Sequence, residues 1–336
     1  MRLLAMAVFA ILATGAAAAQ DAPGLDGSGL DGSGAYDAVN INGFVLQVQD
    51  VQRLLNAGIL RLNPDTRRFA FGPGITSERA LTAQLARLNL NNPRAPRELY
   101  RAFKVALPNG AAHELTIPSG FGPAFFANQP GVRTVSASFG GVSRVPYTRS
   151  PDAALGLGLS FGNSFNGLGA SVMASFNDLS DLGNTDRISW GIVVSHYLTD
   201  GLSVAVGGEN LFVKTTDGEA SFYLAGSWAF DTSDHMPFKG VLTLGAGSGR
   251  FAKNTERDLA EGRVANATML FGGVAWEVSD RLNLITEWNG RNLNVGVGYT
   301  LPKSGISLKL GVENLTDYSG DGPILTGSVG VTLARF

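Results

Sequence analysis

A chain of 336 residues with 26 Lys and Arg against 28 Asp and Glu is close to neutral, with a net charge of −2. The absence of Cys excludes disulfides, thiolate metal sites and lipoprotein acylation. Gly numbers 44, roughly twice the usual share, so the backbone is repeatedly left without side chains.

In chain order, residues 1–19 read as a secretory signal peptide: Arg2, an apolar run, then Ala17 and Ala19 before Gln20. Residues 20–35 carry LDGSG twice in tandem, the composition of a flexible linker. Asp26 and Asp31 are lone carboxylates, far from a calcium coordination set. Residues 36–118 differ again, with ten Lys and Arg against six acids, a net +4. Val51, Leu54, Leu55 and Ile59 stand at helical spacing, as do Leu81, Leu85 and Leu88 behind Glu78, and Pro96 opens a third candidate helix. These features predict a small, mainly helical periplasmic domain or plug. No nucleic-acid-binding motif accompanies the basic residues.

From residue 131 onward twelve strand candidates follow: 132–142, 153–162, 167–177, 187–198, 202–212, 219–230, 238–249, 264–278, 281–288, 291–301, 305–315 and 323–336. Apolar residues alternate with Gly, Ser and other small polar ones, as the two-residue period of a strand requires. Asn289-Gly290 reads as a two-residue hairpin turn. A soluble sandwich would alternate in the same way, but two further patterns favour a barrel crossing a membrane. Connections alternate between short and longer ones, as periplasmic turns and outer loops do. With the first strand running outward from the periplasm, the outward aromatics also sort into two girdles. Phe161, Phe230, Phe238, Trp276 and Tyr299 fall at the periplasmic end; Phe139, Phe176, Trp190, Phe212, Phe222 and Trp288 fall near the outer end. The fold class expected is therefore all-β: an antiparallel transmembrane barrel of about twelve strands, residues 119–336, in the outer membrane and in contact with its lipid.

The terminal Phe336 matches the signal that barrel assembly machinery reads, although Val329, Val331 and Leu333 stand in the opposite phase to it. The segments SGFGP (119–123), VAVGGENL (204–211), LTLGAGSGRF (242–251) and EWNGRNLNVGVGY (287–299) resemble a poorly characterised outer-membrane barrel family common in cyanobacteria. More loosely, the chain is similar to YjbH-like barrels associated with exopolysaccharide. The resemblance implies a barrel and brings no catalytic residues.

No catalytic set, cofactor site or metal site is expected. His113, His196 and His235 form no metal-spaced pair, and the outward His196 has no evident Ser partner for lipase chemistry. The glycines at 245–249 lack the βαβ surroundings of a nucleotide loop. The inward register instead offers Glu209, Glu277, Glu287, Asn292, Asn294, Lys309 and Glu313 as lumen-facing polar residues. Four acids against one base predict a porin-like passive channel mildly favouring cations, with lumen glycines giving width. The alternative is a structural or export-assisting barrel without conductance, with a periplasmic partner or a polysaccharide. Three of those acids fall at the outer mouth, which places them out of easy reach of a plug entering from the periplasm.

Overall fold

The computed structural model describes residues 38–41, 44–62, 69–72, 75, 78–86, 111–123, 133–145, 150–162, 164, 167–177, 185–199, 201–213, 220–230, 238–254, 259–260, 262, 267–279, 281–301, 306–317 and 322–335. The signal peptide, the linker, the third candidate helix and Phe336 lie outside them.

Two compact units emerge. In the smaller, β1 (Ala38–Ile41) pairs with β2 (Phe44–Gln47), and β3 (Leu60–Leu62) pairs with β4 (Phe69–Phe71). Helices α1 (Val48–Asn56) and α2 (Glu78–Leu85) bury Val51, Leu54, Leu81 and Leu85. Beside the two helices of the mainly helical segment expected, there stand two hairpins, of four and three residues per strand, too short to show a period. Gly58 ends α1 at φ +68°, and the amides of Gly58 and Ile59 bond back to Leu55 and Leu54. That is the left-handed stop a glycine makes easily.

The larger unit holds the barrel and also Ala106–Ala127. Its strands are β5 (Thr134–Val142), β6 (Asp152–Gly162), β7 (Gly169–Phe176) and β8 (Ile188–Thr199). They continue with β9 (Leu202–Leu211), β10 (Ser221–Phe230), β11 (Gly240–Gly247) and β12 (Leu270–Ser279). The last four are β13 (Leu282–Trp288), β14 (Leu293–Thr300), β15 (Ile306–Glu313) and β16 (Ile324–Arg335). Each pairs antiparallel with the next, and β16 pairs with β5, which closes twelve strands into a barrel without an edge. Below, the near end is the one where β5 begins and β16 finishes.

Leu157, Leu159, Trp190, Ile192, Val206, Leu224, Leu244 and Leu310 stand exposed on the outer face. An apolar belt of that extent has no place in water. It is the surface of a barrel standing in lipid, and closed even-stranded barrels of this kind belong to bacterial outer membranes. Among the described residues no helix is long and apolar enough to cross a membrane, so the crossing is made by strands.

Two local details depart from the periodic pattern. Asn289-Gly290 does not form a two-residue turn: Trp288 pairs with Leu293, leaving the four residues Asn289–Asn292 as the loop. Of the two, Gly290 alone takes positive φ, whereas the tight turn needs it at both positions. The Asn289 carboxamide instead accepts the amides of Arg291 (3.0 Å) and Asn292 (2.9 Å). Asn289→Ala is expected to cost about 1–2 kcal/mol through those two bonds, read as a lower urea midpoint for unfolding in detergent. An unchanged midpoint would show that the loop does not depend on them.

The second detail is a bulge in β16. Thr332 faces Ser136 and Ala334 faces Val135, so Leu333 is an extra residue on that strand. Past it the inward and outward phases exchange. The strand end therefore runs in the phase opposite to that read from Val329 and Val331.

Candidate functional site: the lumen and the strap it holds

Residues Ala111–Pro123 form a strap inside the barrel that pairs with none of its strands. The boundary expected at Ser119 thus falls within a segment the barrel itself holds. The strap climbs along β13–β15, turns near the far end, and descends along β8–β10.

Its first leg meets Asn283, whose Nδ2 donates to the carbonyls of Ala111 (3.4 Å) and Ala112 (3.0 Å). Higher up, the Glu287 carboxylate accepts the amides of Leu115 and Thr116, each at 2.8 Å, and the Thr116 hydroxyl at 2.5 Å. Lys309 Nζ donates to the Leu115 carbonyl at 2.9 Å. Asn294 Nδ2 closes the group on Thr116 Oγ1 (3.1 Å) and Glu287 Oε1 (3.2 Å). Glu287 is 1% exposed and Asn283 and Asn294 are fully buried, a depth at which polar groups must be bonded.

At the turn, Arg250 Nη2 donates to the Thr116 carbonyl at 2.8 Å, and its guanidinium forms an ion pair with Glu209. Arg250 also lies over the ring of Phe251, 4.3 Å from its centroid. Ile117 then enters an apolar cluster of Phe251, Phe271 and Ala225, against which Tyr223 packs. On the second leg, Gly120 donates its amide to Ser227 Oγ and accepts Ser203 Oγ on its carbonyl, both at 2.8 Å. Ser227 touches Thr243 Oγ1 (2.7 Å), which donates to Glu114 (2.9 Å). The legs meet where His113 and Phe121 set their rings edge to face, 6.0 Å apart.

The wall makes room for this insert with glycine. A Cβ on Gly298 would collide with the Ala112 carbonyl, and one on Gly296 would stand 3.1 Å from Leu115 Cδ1. One on Gly120 would strike the Ser227 backbone nitrogen and stand 2.6 Å from the Ser203 carbonyl. The wall glycines Gly296 and Gly298 give width that the strap uses, and the strap's own Gly120 lets it lie against Ser203 and Ser227.

The opposite side of the lumen differs. Met173 shares the inward register of Gly158 and is 44% exposed, and Ser136, Ser138, Ser175 and Ser328 beside it are part-exposed. Among the described residues the strap fills the interior along β8–β15, while along β16 and β5–β7 the inward side chains stay part-exposed except at the near end, where Ser160 and Ser171 are buried and bond one another at 2.8 Å.

Of the residues singled out from sequence, Glu209, Glu287, Asn294 and Lys309 are brought together on the strap. Asn292 bonds Asn314 and Thr316 at 3.1 Å each, one step nearer the far end. Glu313 and Glu277 share the inward face. Of the three acids expected to lie out of easy reach, the strap runs the distance to Glu287 and to the Glu209–Arg250 pair. Reasoning from sequence missed Asn283, Arg250, Ser203, Ser227 and Thr243. Asn283 shares the inward alternation of Glu287, and that signal was available. Arg250 lies past the end of β11, where alternation says nothing.

The aromatics stand at the strand ends. Phe161, Phe238, Trp276 and Tyr299 lie toward the near end with Phe230, which is covered by Trp228 and Phe238 (centroids 5.5 and 5.9 Å). Trp190, Phe212, Phe222 and Trp288 lie toward the far end, and Phe139 and Phe176 flank Leu155. His196 Nδ1 bonds the Gly167 carbonyl at 2.5 Å.

No protein-family model matches the chain, and no curated protein matches it either. Among solved structures the chain is similar to a KdgM porin (13% identity, TM-score 0.35), covering 60% of this chain and 98% of that one. It is also similar to outer membrane phospholipase A from Escherichia coli (14%, TM-score 0.33; 60% and 90%). A third likeness is to a mutant of the Rh. blastica porin (11%, TM-score 0.28; 60% and 99%).

Proposed function

We propose that this protein is a porin-like outer-membrane barrel, a passive channel for small solutes that its own strap narrows to the β16 and β5–β7 side. The single observation that carries this reading is the contrast across the lumen, with Met173 44% exposed and Glu287 1% exposed. A wall of Ser and Gly lines the open side and offers size selection with little chemical preference. The inward charges are Glu209, Glu277, Glu287 and Glu313 with Glu114 on the strap, against Lys309 and Arg250. Five acids against two bases leave a net of −3, the same as four acids against one base, which supports a mild cation preference.

The test is planar-bilayer recording of the refolded full chain and of Gly120→Val, whose added side chain cannot fit between Ser203 and Ser227. Small conductance steps are expected from the native protein, and steps at least twice as large from the variant. Under a salt gradient, Glu277→Gln with Glu313→Gln should move the reversal potential toward zero. Folded protein that conducts in neither form defeats the channel and leaves the structural or export-assisting reading, to which the filled half of the lumen already lends support.

A further inference from the structure

The strap is held mainly by its main chain. Glu287 accepts the consecutive amides of Leu115 and Thr116, Lys309 and Arg250 donate to the carbonyls of the same two residues, Asn283 donates to two more, and Ser203 and Ser227 take both groups of Gly120. Such bonds are blind to most side chains. Side chains add to this at particular points: Leu115 in the notch between Gly296 and Gly311, Ile117 in the apolar cluster, the Glu114 and Thr116 hydrogen bonds, the His113–Phe121 ring contact, and the lack of any side chain at Gly120. Moreover, no strand pairs with the strap, so its departure breaks no ladder of the barrel.

We propose that this side of the lumen is a binding slot for an extended polypeptide, filled here by Ala111–Pro123 and open to exchange with another segment that carries an aliphatic residue and, five positions later, a glycine. The inference rests on the strap narrowing the channel as described above. A carboxylate that grips two successive N–H groups, flanked by cations on the two successive carbonyls, matches the spacing of a peptide backbone. A glycan, whose hydroxyls both donate and accept, does not require that ordered segregation of donors and acceptors.

The experiment uses the full chain carrying Gly120→Val and a fluorescently labelled synthetic peptide of residues 111–123. Saturable binding is expected to the variant in detergent, with at least tenfold weaker binding to the native barrel, whose slot is taken. The same peptide with valine in place of its glycine should bind at least tenfold more weakly than the native peptide, and a scrambled peptide should not compete. Added to the variant in a bilayer, the native peptide should return conductance toward that of the native protein. Gly122→Val serves as a second displaced-strap barrel, since its Cβ would stand 2.7 Å from Ser195 Oγ. If both variants fold and neither binds the peptide, or if the scrambled peptide binds equally, the slot is refuted. A neutral oligosaccharide that displaces the peptide at equal concentration overturns the assignment to polypeptide. Raised conductance without peptide binding removes the slot and leaves the channel reading standing; unchanged conductance removes the strap as a constriction.

Discussion

Replacing Glu287 by leucine is expected to release the first leg of the strap at a cost of about 3–6 kcal/mol. The carboxylate accepts the Leu115 and Thr116 amides and the Thr116 hydroxyl. A buried donor deprived of its acceptor costs roughly 1–3 kcal/mol, more where the acceptor was charged. Leucine fills similar volume and accepts nothing, so the donors must leave for water. Limited proteolysis within residues 111–123 should accelerate by two orders of magnitude or more, while heat-modifiable gel migration of the barrel persists. Glu287→Gln keeps one acceptor oxygen and should fall between the two. Native-like resistance in the leucine variant would show that the strap is held elsewhere.

The second large effect lies on the other face of the wall. Leu224 is 60% exposed on β10, paired with Val206 and Ala246 at mid-strand, where lipid chains are expected. Leu224→Arg should cost about 2–4 kcal/mol, the penalty for a cation near the bilayer midplane. Arg in place of Phe212, past the end of β9, should cost about 0–1 kcal/mol. Urea-unfolding midpoints in phospholipid vesicles measure both. Equal penalties at the two positions would mean that Leu224 does not face the hydrocarbon.

The two predictions also mark what the amino-acid pattern could and could not reveal. Leu224 was legible because a strand repeats every two residues and each element states its own face. All twelve barrel strands were legible for that reason, most to within two residues at each end. The start of β12 is the exception, six residues later than expected, because a bend through Met269 at φ +62° interrupts the run. The role of Glu287 was not legible. Its partners stand 171 and 172 positions away in a stretch, AAHELTIPSGFGP, that has neither helical nor strand period. That stretch takes its shape from wall side chains, so nothing local announces it. The charge difference between residues 36–118 and the barrel hinted at attraction, and the described bonds come instead from the main chain and a few side chains of residues 111–120, a stretch without Arg or Lys. Bulges are silent for a similar reason: the extra Leu333 is visible only beside Val135 and Ser136.

Both ends of the strap, residues 111–123, lie toward the near end of the barrel. Both legs descend to the end where β5 starts, with Ala112 against Gly298 and Gly120 between Ser203 and Ser227. A loop pushed in from one mouth and folded back can be withdrawn by the same mouth, with no chain terminus passed through the ring. The seam between β16 and β5 can therefore close around an empty lumen, and the insert can follow as a separate step. A segment that ran from one mouth to the other would need the ring to form around it or an end to be threaded, and this topology asks for neither.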